Sequence, residues 1–222
     1  QLNNAPALGL TIAEDSAAPA GPVGSTLSDF TAGISDPDTG GAKGIAITAT
    51  VQTRGIWWYT IDGGTTWQQV GAVSGTSALL LADNAQTRLY FQPEANFNGN
   101  ASSNALTFKA WDQTSGSAGT KTNPGSSNSF SAATDTIAVT VTPVNDAPVL
   151  SERPRTFNAI YEDNNATSAW PAPTGAVGTT LNTGTLYLSA SYLTDVDSGA
   201  SQGMAVIGAD GAHGVWWYSH DS

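Results

Sequence analysis

The chain has 222 residues, and 18 acidic against 7 basic side chains give it a formal net charge of −11. That charge excludes nucleic acid as a partner, because phosphate binding needs clustered Lys and Arg, and it disfavours adhesion to anionic lipid. No apolar run approaches the ~20 residues that cross a bilayer, so direct membrane insertion is not expected, and with no cysteine no disulfide can brace the fold.

The predicted elements are strands throughout. Gly55-Ile56-Trp57-Trp58-Tyr59 is taken as one of them. The window 77–85 tempts as a helix, but it is short and ends in Asp83-Asn84, so it reads as a strand followed by a turn. Leu89-Tyr90-Phe91 and Leu106-Thr107-Phe108-Lys109-Ala110-Trp111 are rich in aromatic and β-branched residues. In 136–141, Ile137, Val139 and Val141 alternate with smaller or polar residues, the pattern of a half-buried strand in a two-sheet sandwich. The fold class expected is all-β.

Self-similarity organises the chain. Asn3-Asn4-Ala5-Pro6-Ala7-Leu8 returns as Asn145-Asp146-Ala147-Pro148-Val149-Leu150, and Ile12-Ala13-Glu14-Asp15 as Ile160-Tyr161-Glu162-Asp163. Val23-Gly24-Ser25-Thr26-Leu27 matches Val177-Gly178-Thr179-Thr180-Leu181. Asp36-Pro37-Asp38-Thr39-Gly40 then matches Asp195-Val196-Asp197-Ser198-Gly199, and the Trp-Trp motif recurs as Gly214-Val215-Trp216-Trp217-Tyr218. The second copy carries extra residues, mostly between Glu162 and Asp195. The expected modules are 1–144 and an incomplete second copy at 145–222, as in a slice of a longer array or a module completed by another segment.

The step from the closing strand into Val144-Asn145-Asp146-Ala147-Pro148-Val149 resembles the linker between cadherin-like repeats of large bacterial surface adhesins. Glu14-Asp15 looks like the acidic pair near the start of each such domain, Asp36 and Asp38 like its Asp-x-Asp element, and Ala110-Trp111-Asp112 like its Ala-x-Asp element. Pro93-Glu94-Ala95-Asn96-Phe97-Asn98-Gly99 is similar to a turn common in these modules. The resemblance implies tandem Ig/cadherin-like antiparallel sandwiches of about seven strands, with Ca2+ held where domains meet. It assigns Glu14, Glu94, Asn145, Asp146, Asp195 and Asp197 to the junction between copies. Asn4, Asp36, Asp38 and Asp112 go to the other end of the first copy. Calcium takes 6–8 oxygen ligands, and carboxylates with amide carbonyls supply that mixture. The plainer reading of the same Asp and Asn residues is that they cap turns.

Thr60-Ile61-Asp62-Gly63-Gly64-Thr65-Thr66-Trp67 fits the Asp-box pattern of sialidase-type propeller blades, where the motif is a structural hairpin. One complete box in the repeat does not build a propeller, and no catalytic Tyr–Glu arrangement accompanies Arg54, Arg88, Arg153 and Arg155, so an enzyme is not expected. His213 and His220 are too isolated for a zinc site. Neighbouring strand residues face opposite ways, so one of Trp57 and Trp58 can pack inward while the other faces out. The outward one either stacks on a sugar ring or packs under the hairpin.

The function expected is a structural repeat of a secreted bacterial surface protein, an adhesin stalk or extracellular fibre with calcium-stiffened junctions. Its partners would be neighbouring repeats of the same chain or identical subunits. The alternative is a carbohydrate-binding module that holds glycans through Trp57 or Trp58. The location expected is extracellular or at the bacterial cell surface.

Overall fold

The computed structural model describes residues 1–2, 7–37, 41–125, 127–151, 174, 193–201 and 203–220. Asn4 and Asp38 lie outside these residues, as do the second-copy motifs at Glu162-Asp163 and 177–181. The chain divides into two compact units, Gln1–Val144 and Asn145–Ser222.

The first unit is all-β. Its strands are β1 (Leu8–Ala13), β2 (Ser25–Thr26), β3 (Gly44–Thr50), β4 (Gly55–Thr60) and β5 (Gln68–Gln69), followed by β6 (Ala78–Ala82), β7 (Arg88–Pro93), β8 (Gly99–Trp111), β9 (Lys121–Thr122) and β10 (Asp135–Thr142). One sheet runs β1-β10-β8-β3-β6-β9 and the other β2-β7-β4-β5. The two share a core: Ile45, Ile47, Leu79, Leu81, Phe108, Ile137 and Val139 from the first meet Trp57, Tyr59, Leu89 and Phe91 from the second. Pairing is antiparallel except where β1 lies parallel to β10.

Three strands of two residues each, β2, β5 and β9, take the count past the seven expected. A single helical turn, α1 (Ser28–Thr31), was not foreseen; it turns Phe30 into the core. β10 follows its sequence pattern, with Ile137, Val139 and Val141 buried on one face.

β6 is the strand in the window 77–85, and all five of its residues are buried. Leu79 and Leu81 face the main core. Ala78, Leu80 and Ala82 join Ala46 and Trp111 in a second cluster, against which Ala118 and Phe130 pack. A strand covered on both faces reads as a continuous apolar run rather than an alternation. Burying one such leucine contributes roughly 1.5–3 kcal/mol.

In the second unit, β11 (Val149–Leu150) pairs antiparallel with β12 (Leu193–Thr194). Among the described residues of this unit Leu193 is buried, while Val206, Val215, Trp216 and Trp217 are exposed. Among the described residues, no helix is long and apolar enough to cross a membrane.

Candidate functional site

Glu14 follows directly on β1, and its backbone N–H continues the ladder to the Thr142 carbonyl at 2.9 Å. The residue is only 3% exposed. Oε1 accepts from the backbone N–H of Val144 at 2.6 Å, and Oε2 accepts from Asn98 Nδ2 at 3.1 Å. Asp15 adopts a left-handed φ of 59° and its Oδ1 accepts from the backbone N–H of Asn96 at 2.9 Å. The Pro93-to-Gly99 turn is therefore tied to the Glu14-Asp15 corner at two points. Both of Glu14's side-chain partners among the described residues are neutral, and the one ion pair among those residues is elsewhere. It joins Arg54 to Glu94 at 3.5 Å, on the surface, with the guanidinium 4.8 Å over the Phe97 ring. Burying a carboxylate without a cation costs several kcal/mol even after relaxation.

In the second unit the short β11–β12 pairing sets Val149-Leu150, at the end of the linker motif, antiparallel to Leu193-Thr194, which directly precede the Asp-x-Asp element. Asp197 Oδ2 accepts from the backbone N–H of Asp146 at 2.8 Å, and Asp195 Oδ1 accepts from that of Asp197 at 2.9 Å. The second bond is the local turn-capping that aspartate performs without any ion; the first reaches 51 positions back along the chain. Asn145 is exposed and its amide bonds the Asp146 carbonyl. Glu14 in the first unit, and separately Asp146 and Asp197 in the second, are carboxylates of the kind that could hold a metal ion. All are hard oxygen donors, which suit hard divalent cations such as magnesium, calcium or manganese.

At the opposite end of the first unit, Asp36 and Asp112 line one open cleft of ≈ 510 Å³ together with Leu2, Lys43, Trp111 and Ser129. Asp112 Oδ1 is occupied there by the backbone N–H and hydroxyl of Thr114, at 2.8 and 2.6 Å. These two sequence candidates thus share a cleft.

The Asp-box folds as a self-contained turn. Asp62 Oδ1 accepts from the Thr60 hydroxyl at 2.7 Å and the Thr66 N–H at 2.9 Å, and Oδ2 accepts from the Thr66 hydroxyl at 2.6 Å. The Thr66 side chain and backbone, then the Thr60 hydroxyl, hold the Asp62 carboxyl down to about 2. Gly64 has φ +97°, and its missing Cβ lets the turn close onto the Gly21 carbonyl.

The outer face of the β2-β7-β4-β5 sheet clamps the segment between β1 and β2. Tyr90 OH donates to the Ala17 carbonyl at 3.0 Å, Trp67 Nε1 to Gly21 at 3.0 Å, and Arg88 Nη1 to Gly24 at 3.1 Å. Trp67 and Tyr90 also meet edge to face at 6.1 Å. The two paired tryptophans divide as strand geometry requires. Trp57 is wholly buried and donates to the Ala105 carbonyl at 3.1 Å. It is therefore withdrawn as a contact for an external ligand: the inward register of β4 puts it in the core. Trp58 is half-buried on the outer face, with its Nε1 held by Gln92 Oε1 at 3.1 Å.

Two features escaped the sequence reading. Asn98 lies in the recognised turn but was not among the candidate ligands, and only the fold brings it to Glu14. The three-point clamp on the segment 17–24 left no local signal at all, since each donor is distant in sequence from its acceptor. No family model matches the chain, and no match is found among curated proteins or solved structures.

Proposed function

We propose that the chain is a structural repeat of a secreted bacterial surface protein, a stalk or fibre segment of cadherin-like kind whose junctions take calcium. The observation that carries this reading is the Glu14 carboxylate, buried at the point where the first unit ends and served, among the described residues, only by neutral donors. A divalent cation would supply the missing positive charge and draw on oxygen ligands alone. In this reading Glu14 is a ligand at the end of the first unit, and Asp146 and Asp197 are ligands within the second. The ion then restrains the linker, and repeats in series become a spacer. The Asp-box and the clamp on 17–24 serve the same end by bracing the module itself, which has no disulfide.

Thermal unfolding in chelator and in calcium tests this, with X-ray scattering on the same samples. Extracellular calcium modules bind at ~0.1–1 mM. At a concentration 100 times the Kd the stabilisation is about 2.7 kcal/mol, which raises Tm by roughly 5–10 °C for a chain of this size. The scattering should show a longer and stiffer particle. Superimposable melting curves and profiles would remove calcium and leave the acidic residues as turn caps.

A further inference from the structure

Asn98-Gly99 is the only Asn-Gly step in the chain. Both residues are exposed. Gly99 has φ +111° and nothing within 4 Å of the position a Cβ would take, and with no side chain of its own it adds no steric bar to attack by its nitrogen. That is the arrangement in which an asparagine amide loses ammonia. The Gly99 nitrogen attacks Asn98 Cγ, the Cγ–Nδ2 bond breaks, and ammonia leaves carrying the displaced amide proton. A five-membered succinimide closes, and water opens it at either carbonyl to give aspartate or isoaspartate. One water enters, one ammonia departs, and nothing is oxidised or reduced.

The place of this step gives it a consequence. Asn98 Nδ2 donates to Glu14 Oε2 at 3.1 Å, so the new group would face a carboxylate that is already buried. We propose that Asn98 is a spontaneous deamidation site. Its conversion turns the Glu14 pocket from a carboxylate–amide pair into a carboxylate pair. Two carboxylates sharing a site repel unless a proton or a cation intervenes. The aged protein is then less stable without a divalent cation and binds that cation several-fold more tightly. The cation half of this inference rests on the calcium reading above; the modification itself does not.

The full chain is incubated in mildly alkaline buffer, once folded and once in urea, and digested for peptide mass spectrometry with isoaspartate labelling. Asn98→Gln serves as the control, since glutamine cyclises far more slowly. Melting of Asn98→Asp and Asn98→Gln is then followed in chelator and across a calcium titration. The expected result is deamidation in the folded chain concentrated at Asn98. Asn98→Asp should melt below the parent in chelator, with a several-fold lower calcium midpoint. An intact Asn98 in the folded chain, under conditions that deamidate the urea-treated chain, would overturn the proposal. Deamidation at Asn98 with no response of either variant to calcium would keep the modification site, overturn its link to a cation and sink the calcium reading.

Discussion

Asp62 stands at the tip of a hairpin, fully exposed, its oxygens taken by donors two and four positions away. Glu14 is buried and holds partners 84 and 130 positions away. The first carboxylate brings its own hydroxyls and amide, so it is content without an ion and its geometry is written in a short motif. The second is assembled by tertiary structure and is left among neutral donors. The same chemical group is a structural peg in one place and a candidate cation ligand in the other. What separates them is where the donors come from.

The substitution that tests this contrast hardest is Glu14→Gln. A glutamine keeps the shape and can still accept from the Val144 N–H, but it carries no charge. The whole calcium-dependent gain, roughly 5–10 °C, should vanish, while Tm in chelator holds or rises because a buried charge has gone. A variant that kept the full gain would show that Glu14 is not a ligand.

Acid probes the other carboxylate. The Asp62 carboxyl is held at about 2 in the folded protein against an ordinary value of 3.8. Its bonds therefore contribute fully above 3.8, and that contribution is lost as pH falls toward and through 2. Melting followed from neutral to acid pH should decline more steeply in the parent than in Asp62→Asn, which has no charge to lose. Parallel curves would mean the hairpin does not depend on the ionised group.

The smallest effect is expected at the clamp the hairpin supports. Trp67→Phe keeps the ring against Tyr90 but removes the donor to the Gly21 carbonyl. The cost should be about 1 kcal/mol, a fall in Tm of roughly 2–4 °C. Amide exchange in 17–24 should quicken more than in β4 or β7. Uniform exchange across the unit would show that the segment is held by other contacts.

The all-β class was legible because β10 alternates and because β7 and β8 are rich in aromatic and branched residues. The continuous Ala78–Ala82 run hid a subtler fact: it is apolar on both faces because Trp111 and Phe130 cover the side turned away from the main core. The Asp-box was legible for the same reason Asp62 is self-sufficient, all its partners being local. The Glu14 corner was legible only as acidic residues, and Asn98 as part of a turn. Hydrogen bonds spanning most of the unit leave no spacing to read. The Trp-Trp strand shows the limit most sharply. Trp57 is fully buried and its counterpart Trp216 is 57% exposed, although both stand in the same five-residue motif. Trp57 stands in β4 within a paired sheet, whereas Trp216 lies in no strand, so the motif alone does not fix burial.

One feature of the first unit bears on how it would respond to being pulled. β1 and β10 run parallel, from Leu8 beside Ile137 to Ala13 beside Thr142. The chain enters this pair at one end, through β1, and leaves at the other, through β10. Tension applied before Leu8 and after Thr142 acts along the two strands in opposite directions, so the hydrogen bonds between them are strained together in shear. An antiparallel terminal pair would instead peel open one bond at a time. The first and last strands thus form a seam that must slip as a whole before the sandwich behind it can extend.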